Sequence, residues 1–293
     1  MTRRRWYGYI ALGVSVLFLC GAVTAAYTHN TPPPHQLAEL PVDITHGPEA
    51  ENVFQQAAVA KAVPAHAVRV PIFIYHSIRP DYPGESANIK AFTLTPEQLD
   101  EQLAYLAHNG YTTISLDDLA RDIAAGTTTP VKKPVVLTFD DGWQNEYVYA
   151  FPLLTKYHLT ATFFVFTNPI NNKNPHYMTW DELRQMHTAG MTIGDHTVFH
   201  PYLSSLTPEQ LRTEVLDAKA TIEKEIGVPV TDFASPFGYS DEALTTLLKQ
   251  SGFVTGRTTY KGVWHSADDQ YALTGYLVHR DLKDFVYILT QAK

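Results

Sequence analysis

The sequence predicts an α/β fold, a distorted (β/α) barrel of seven to eight parallel strands behind an N-terminal membrane segment. Three observations carry this. Short continuous apolar runs such as Pro134–Phe139 and Thr160–Thr167 have the composition of strands buried on both faces. They alternate with amphipathic stretches that open on capping residues and close on glycine, as helices covering a parallel sheet do. Six to eight such units recur over about 225 residues, which suits a barrel better than an open sheet.

The chain opens with Arg3, Arg4 and Arg5, and from Trp6 to Asn30 the only titratable charge is His29. The apolar stretch Tyr7–Ala26 is long enough to cross a hydrocarbon core of about 30 Å as a helix. Basic residues before it keep the N-terminus inside and send the remainder out. Residues 1–5 then form a cytoplasmic basic tail, and residues 6–28 an anchor or a cleaved signal peptide, with small residues for cleavage at Ala22–Ala26. The run exceeds a usual signal core, which favours the anchor. Residues 29–67 read as a linker stiffened by Pro32, Pro33 and Pro34, with a short helix at Glu49–Val63.

Residues 68–133 read as an N-terminal extension of the barrel, and residues 134–293 as its main domain. Strands are expected at Val70–Tyr75, Tyr111–Ile114, Pro134–Phe139, Thr160–Thr167, Met191–Gly194, Phe233–Pro236, Phe253–Thr258 and Ala272–Val278. Helices are expected at Thr95–Gly110, Leu116–Ala125, Phe151–His158, Trp180–Ala189, Thr207–Ile226, Asp241–Gly252 and Leu282–Gln291. Thr95 with Gln98 has capping-box spacing, and Gly110 and Gly227 sit where helices end.

Composition excludes several functions. The 293 residues carry a net charge of −8, which offers no basic footprint for nucleic acid. A single cysteine, Cys20, rules out an internal disulfide and a cysteine-built zinc site. Any metal site must use the carboxylates and the 13 histidines.

Chemistry-bearing residues gather at strand ends. Asp140 and Asp141 close the run Pro134–Phe139; like charges side by side push one pKa up, although Asp-Asp-Gly is also a common turn. His196 and His200 follow Met191–Gly194 at a spacing that lets two imidazoles share a cation. Both pairs fall on one rim of a parallel barrel. One carboxylate with two neutral imidazoles is the ligand set of a hydrolytic zinc site, leaving the other carboxylate as a base. The turn Phe233–Tyr239 and the strand-end His279 fall on the same rim.

Taken together, these residues resemble the polysaccharide deacetylases, the NodB-homology or carbohydrate esterase family 4 enzymes, over about Pro134 to Gln291. Thr138-Phe139-Asp140-Asp141-Gly142 matches the first motif, His196-Thr197-Val198-Phe199-His200 the second, and Leu277-Val278-His279 the last. Met178–Leu183 and Val70–His76 are similar to further stretches of exported members. The third motif keeps Pro236, Phe237 and Gly238 but has Ala234 in place of an arginine that orients the base, as in deacetylases acting on poly-N-acetylglucosamine.

The resemblance implies a NodB-like barrel in which Asp140 is the base and Asp141, His196 and His200 hold a divalent cation, zinc by its ligands. It also implies that the Phe237 N–H holds the oxyanion and that His279 protonates the leaving amine. Tyr239 and Trp264 are candidates to stack on sugar, Trp264 standing in for an indistinct fourth motif. Arg280, and behind it Lys261, are candidates to replace the missing guanidinium. The expected reaction is hydrolysis of N-acetyl groups on N-acetylglucosamine units of an extracellular or cell-wall polysaccharide, with release of acetate. O-acetyl ester hydrolysis and a non-catalytic carbohydrate-binding relic are the alternatives. The expected partners are the acetylated polymer and the membrane, through the N-terminal helix; nucleic acid is not one, and the chain is expected to act as a monomer.

Overall fold

Strands apolar on both faces need strand neighbours and packed cover, and the computed structural model shows them in one parallel sheet surrounded by helices. It describes residue 63 and residues 66–127 and 131–291. The strands are β1 (Val68–Arg69), β2 (Ile72–Tyr75), β3 (Ser77–Ile78), β4 (Thr93–Leu94), β5 (Thr112–Thr113) and β6 (Pro134–Asp141). They continue as β7 (Thr162–Val165), β8 (Thr192–Asp195), β9 (Asp232–Ala234), β10 (Thr255–Arg257), β11 (Trp264–His265) and β12 (Tyr276–Leu277). The helices are α1 (Ala87–Ala91), α2 (Pro96–His108), α3 (Leu116–Ala125), α4 (Phe151–Lys156), α5 (Thr167–Asn171), α6 (Trp180–Thr188), α7 (Pro208–Ile226), α8 (Glu242–Gln250) and α9 (Leu282–Thr290).

The main sheet runs β10-β9-β8-β7-β6-β2-β12, with β5 added to the start of β6. Every pairing in it is parallel. It is a half-barrel, and the gap has a local cause. The expected strand Ala272–Val278 divides at Gly275. Leu273 bonds to the edge of β10 through Gly256 and Thr258, whereas Tyr276–Leu277 pairs with β2. A Cβ on Gly275 would stand 3.0 Å from Ile74 and 3.1 Å from the Ile72 carbonyl, so the chain crosses there only without a side chain.

Aromatic residues in register bind the central strands. Tyr75, Phe139 and Phe163 stack at 4.8 Å and 4.8 Å across β2, β6 and β7, and Phe73 stacks at 4.3 Å on Phe285 of α9. Helices α2, α3, α6 and α7 each begin with a reciprocal capping box, at Thr95, Ser115, Thr179 and Thr207. Beyond the expected elements, β3 pairs with β4, β1 pairs with β11, and α1 and α5 are short helices. Among the described residues no helix is long and apolar enough to cross a membrane. The predicted membrane segment, and nearly all of the linker, lie outside the described residues.

Parallel pairing puts all carboxyl-terminal strand ends on one rim. His76 follows β2, Asp140 and Asp141 end β6, Asp195 ends β8, Ala234 ends β9 and Arg257 ends β10. Gly194 in β8 keeps this rim close-packed, because a Cβ there would lie 2.5 Å from the Phe164 ring. Phe164 in turn supports the Arg257 guanidinium 5.3 Å above it. Overpacking a core of this kind costs about 1–3 kcal/mol. Gly194→Ala is therefore expected to lower the unfolding free energy by about that amount in urea titrations, with m unchanged.

Candidate metal and acid–base site

The site grows from the two aspartates of β6, which the pleat turns in different directions. Asp141 adopts φ 81°, a left-handed conformation, and Gly142 continues the turn at φ 76° against Val165. This aims the Asp141 carboxylate at the loop after β8. Its Oδ1 lies 3.6 Å from His196 Nε2 and 3.6 Å from His200 Nε2. One donor atom from each of the three residues falls within 4.8 Å of the others. The indole N–H of Trp143 donates to Asp141 Oδ2 at 2.9 Å, which fixes the carboxylate from behind.

The loop carrying the histidines is braced at each residue. The Thr197 amide donates to Asp195 Oδ1 at 2.7 Å, and the His200 amide to Thr197 Oγ1 at 3.0 Å. Asn168 of α5 donates its backbone N–H to the Val198 carbonyl. His196 Nδ1 stands 2.7 Å from the Ala234 carbonyl, so that nitrogen carries the proton and Nε2 presents a lone pair. Burial, and then His200, push the His196 pKa down to about 4 despite the two aspartates, and the ring is neutral at pH 7. A neutral imidazole with its outer nitrogen free and a braced carboxylate are what a hydrolytic cation requires. The donor set fits.

Asp140 is held apart from this cluster. Both of its oxygens accept from Arg257 Nη2, at 2.6 Å and 2.5 Å, with the pair almost wholly buried. His76 Nε2 lies 3.9 Å from Oδ2 on the other side. Burial pushes this carboxyl up, but the Arg257 guanidinium, His76 and His196 outweigh it, and the net pKa lies below the ordinary carboxylate value.

The sequence reading placed the substitute guanidinium elsewhere, and the structure corrects it. Arg280 turns away from the site. It forks onto Asp81 at 2.7 Å and 2.7 Å and bonds the Lys90 and Thr93 carbonyls, clamping the segment between β3 and β4. Lys261 is exposed in the loop before β11. Arg257 is the guanidinium bonded to Asp140, and it is the residue paired in register with Ala234 on the next strand. Paired residues of parallel strands face the same way, so a side chain at 257 leaves the sheet in the same direction as one at 234. The sequence held a signal for this: a lone arginine inside the run Phe253–Thr258, read as a buried strand, must have a buried partner.

Trp264 is also corrected. It lies on β11, paired with Arg69 of β1 and packed on the core at the amino-terminal end of β2. From Arg69 to the rim residue His76 the chain runs seven residues, about 20 Å in extended form, so Trp264 is at the wrong end for substrate. Tyr239 is at the rim, with its hydroxyl 2.6 Å from Asp241, which caps α8. Phe237 has φ 56° within the turn Pro236–Gly238, and its ring packs on Tyr202 at 4.0 Å and on His200 at 4.7 Å. His279 is exposed just past β12, its carbonyl held by Gln102, which also accepts from Tyr75. The sequence reading missed Arg257, Trp143 and His76 as site residues.

Comparison with known proteins agrees with this geometry. Residues 127–256 match the family model described as polysaccharide deacetylase. The Bacillus subtilis protein YxkH, of the polysaccharide deacetylase type, is 30% identical over 205 residues, 70% of each chain. The chain belongs to the polysaccharide deacetylase family. The poly-beta-1,6-N-acetyl-D-glucosamine N-deacetylase of Staphylococcus epidermidis is 24% identical over 227 residues, 71% of this chain and 78% of that one. Among solved structures, the Streptococcus pyogenes deacetylase PplD in complex with acetate has a TM-score of 0.72 at 28% identity, covering 76% of this chain and 99% of that one. The protein is thus a polysaccharide deacetylase with the half-barrel of the NodB, carbohydrate esterase family 4 group, and acetylated polysaccharide fits it as substrate.

Arg257→Ala should lower deacetylation by roughly 10²-fold, in line with losing part of an acid–base pair, while leaving bound cation unchanged by calorimetry. Because Arg257 holds the Asp140 pKa down, its loss should move the acidic limb of the pH–rate profile upward. The double variant Ala234→Arg/Arg257→Ala should recover part of the loss, since the two positions are paired in register.

Proposed function

We propose that this deacetylase hydrolyses N-acetyl groups on N-acetylglucosamine units of an extracellular polysaccharide, with Asp140 as base. The observation that carries the reading is the division of labour between adjacent carboxylates. Asp141 faces the His196 and His200 imidazoles, whereas Asp140 accepts at both oxygens from Arg257 Nη2 and its pKa is held below the ordinary carboxylate value. The named activity of the Staphylococcus epidermidis relative supports the choice of N-acetylglucosamine.

Asp141, His196 and His200 would hold a divalent cation, zinc by their chemistry, which supplies polarisation of the amide carbonyl and activation of water. The protein's own residues do the rest. Asp140, ionised and oriented, accepts the proton of the attacking water. Arg257 holds that carboxylate still and buried, so little reorganisation is needed as charge moves. The Phe237 amide, in its left-handed turn beside His200, would donate to the developing oxyanion. His279 on the opposite rim strand gives a proton to the leaving amine, and acetate departs. Asp140→Asn keeps shape but cannot take a proton. It should lower acetate release from poly-N-acetylglucosamine by about 10²–10⁴-fold while cation affinity by calorimetry stays at the wild-type value. Loss of the cation in this variant would make Asp140 a ligand instead.

The basic residues Arg3–Arg5 before the apolar stretch support a single-pass protein with its catalytic domain outside the cytoplasm. Residues 6–28 would form the anchor, residues 29–67 a tether, and residues 68–293 the catalytic unit. In cell fractionation the full chain should sediment with membranes and resist extraction by high salt and carbonate. Protease added outside should reach the catalytic domain.

A further inference from the structure

Phe199 stands in the chain immediately before the site residue His200, and it is 61% exposed. Few large apolar residues among those described are so open; of the others, Val228 follows α7 and Tyr287 lies in α9. Leaving an aromatic ring in water forgoes burial worth about 1.5–3 kcal/mol, so a ring kept out at this place invites a ligand.

The backbone beneath it is built to keep it there. The Val198 and Phe199 amides both donate to Glu214 Oε2 of α7, at 3.1 Å and 2.9 Å. Thr197 and His200, on either side, hold left-handed φ values of 73° and 55°. Phe199 therefore projects from a rigid turn one residue from His200, whose ring already meets Phe166 at 5.5 Å and Phe237 at 4.7 Å. A pyranose presents a face of C–H groups that packs flat on an aromatic ring. A polymer lying across the rim, with one unit at the aspartates and histidines, must place neighbouring units beside them.

We propose that Phe199 is a stacking platform for a saccharide unit adjacent to the one that is deacetylated, so that it sets the preference for polymer over single sugars. This rests on the polysaccharide deacetylase reading given above. The occupant is the substrate chain itself, because the exposed ring stands on the same braced turn as His200 and the family acts on polymers.

The test uses the full-length protein in detergent with N-acetylglucosamine oligosaccharides of one to six units, both β-1,6- and β-1,4-linked. Acetate release gives kcat and KM for wild type, Phe199→Ala and Phe199→Trp. Phe199→Ala is expected to raise KM for the long oligosaccharides by roughly five- to tenfold, the scale of one lost aromatic contact. It should affect the monosaccharide much less and kcat at most slightly. Phe199→Trp should restore the length preference. In an Asp140→Asn background, the affinity for the hexasaccharide should fall by the same factor with Phe199→Ala. An equal loss at every length, or no loss at any, overturns the platform while leaving the deacetylase reading intact. Failure of the wild-type protein to release acetate from any of these sugars overturns the reading of the substrate, and the platform with it.

Discussion

The ion pair between Asp140 and Arg257 sets the conditions for the rest of the site. A buried carboxylate with no cation beside it would take up a proton, and a buried guanidinium without an anion would pay several kcal/mol in lost hydration. Each makes the other tenable, and breaking such a pair by removing one member costs about 3–5 kcal/mol. The pair also separates two chemically identical neighbours. With Asp140 occupied by Arg257, only Asp141 is left to face His196 and His200.

Around that pair the fold concentrates its backbone strain. Of the eight described non-glycine residues with positive φ, four are Asp141, Thr197, His200 and Phe237, all at this rim. Such conformations cost of order 1–3 kcal/mol each and last only where neighbours hold them. The holders are identifiable: Trp143 on Asp141, Asp195 on Thr197, and Glu214 on the amides of Val198 and Phe199. Two of these acids are drawn from the sheet end or a covering helix, so the scaffold reaches directly into the site. Glu146 is buried one turn beyond Asp141. Burial, then Asp141 and Asp140, push its carboxyl well above the ordinary carboxylate range.

An alanine at position 234 is compatible with the same geometry. Positions 234 and 257 are register partners on adjacent parallel strands, and their side chains leave the same face of the sheet. A charge at either position can reach the same target, provided the other position is small. Ala234 is fully buried and serves through its carbonyl, which orients His196. One position therefore contributes its backbone carbonyl to His196 while its neighbour contributes a guanidinium to Asp140.

Much of this was legible in the chain itself. Local patterns determined the strands and helices, because burial on both faces and helix capping depend on residues near in sequence. They also determined that Asp140, Asp141, His196 and His200 share a rim, since parallel strands put all their carboxyl ends on one side. What tertiary structure alone decided were the partnerships between strands. The half-open barrel depends on a bend at Gly275, where one run of residues serves two edges. Trp264 went to the far end of β2 because β11 pairs with β1, and Arg280 went to Asp81. Arg257 reached Asp140 across 117 residues of chain. Local sequence specifies which residues must be buried and which way they face. Which buried charge meets which is set by strand order and register, and these are fixed only when the whole sheet assembles.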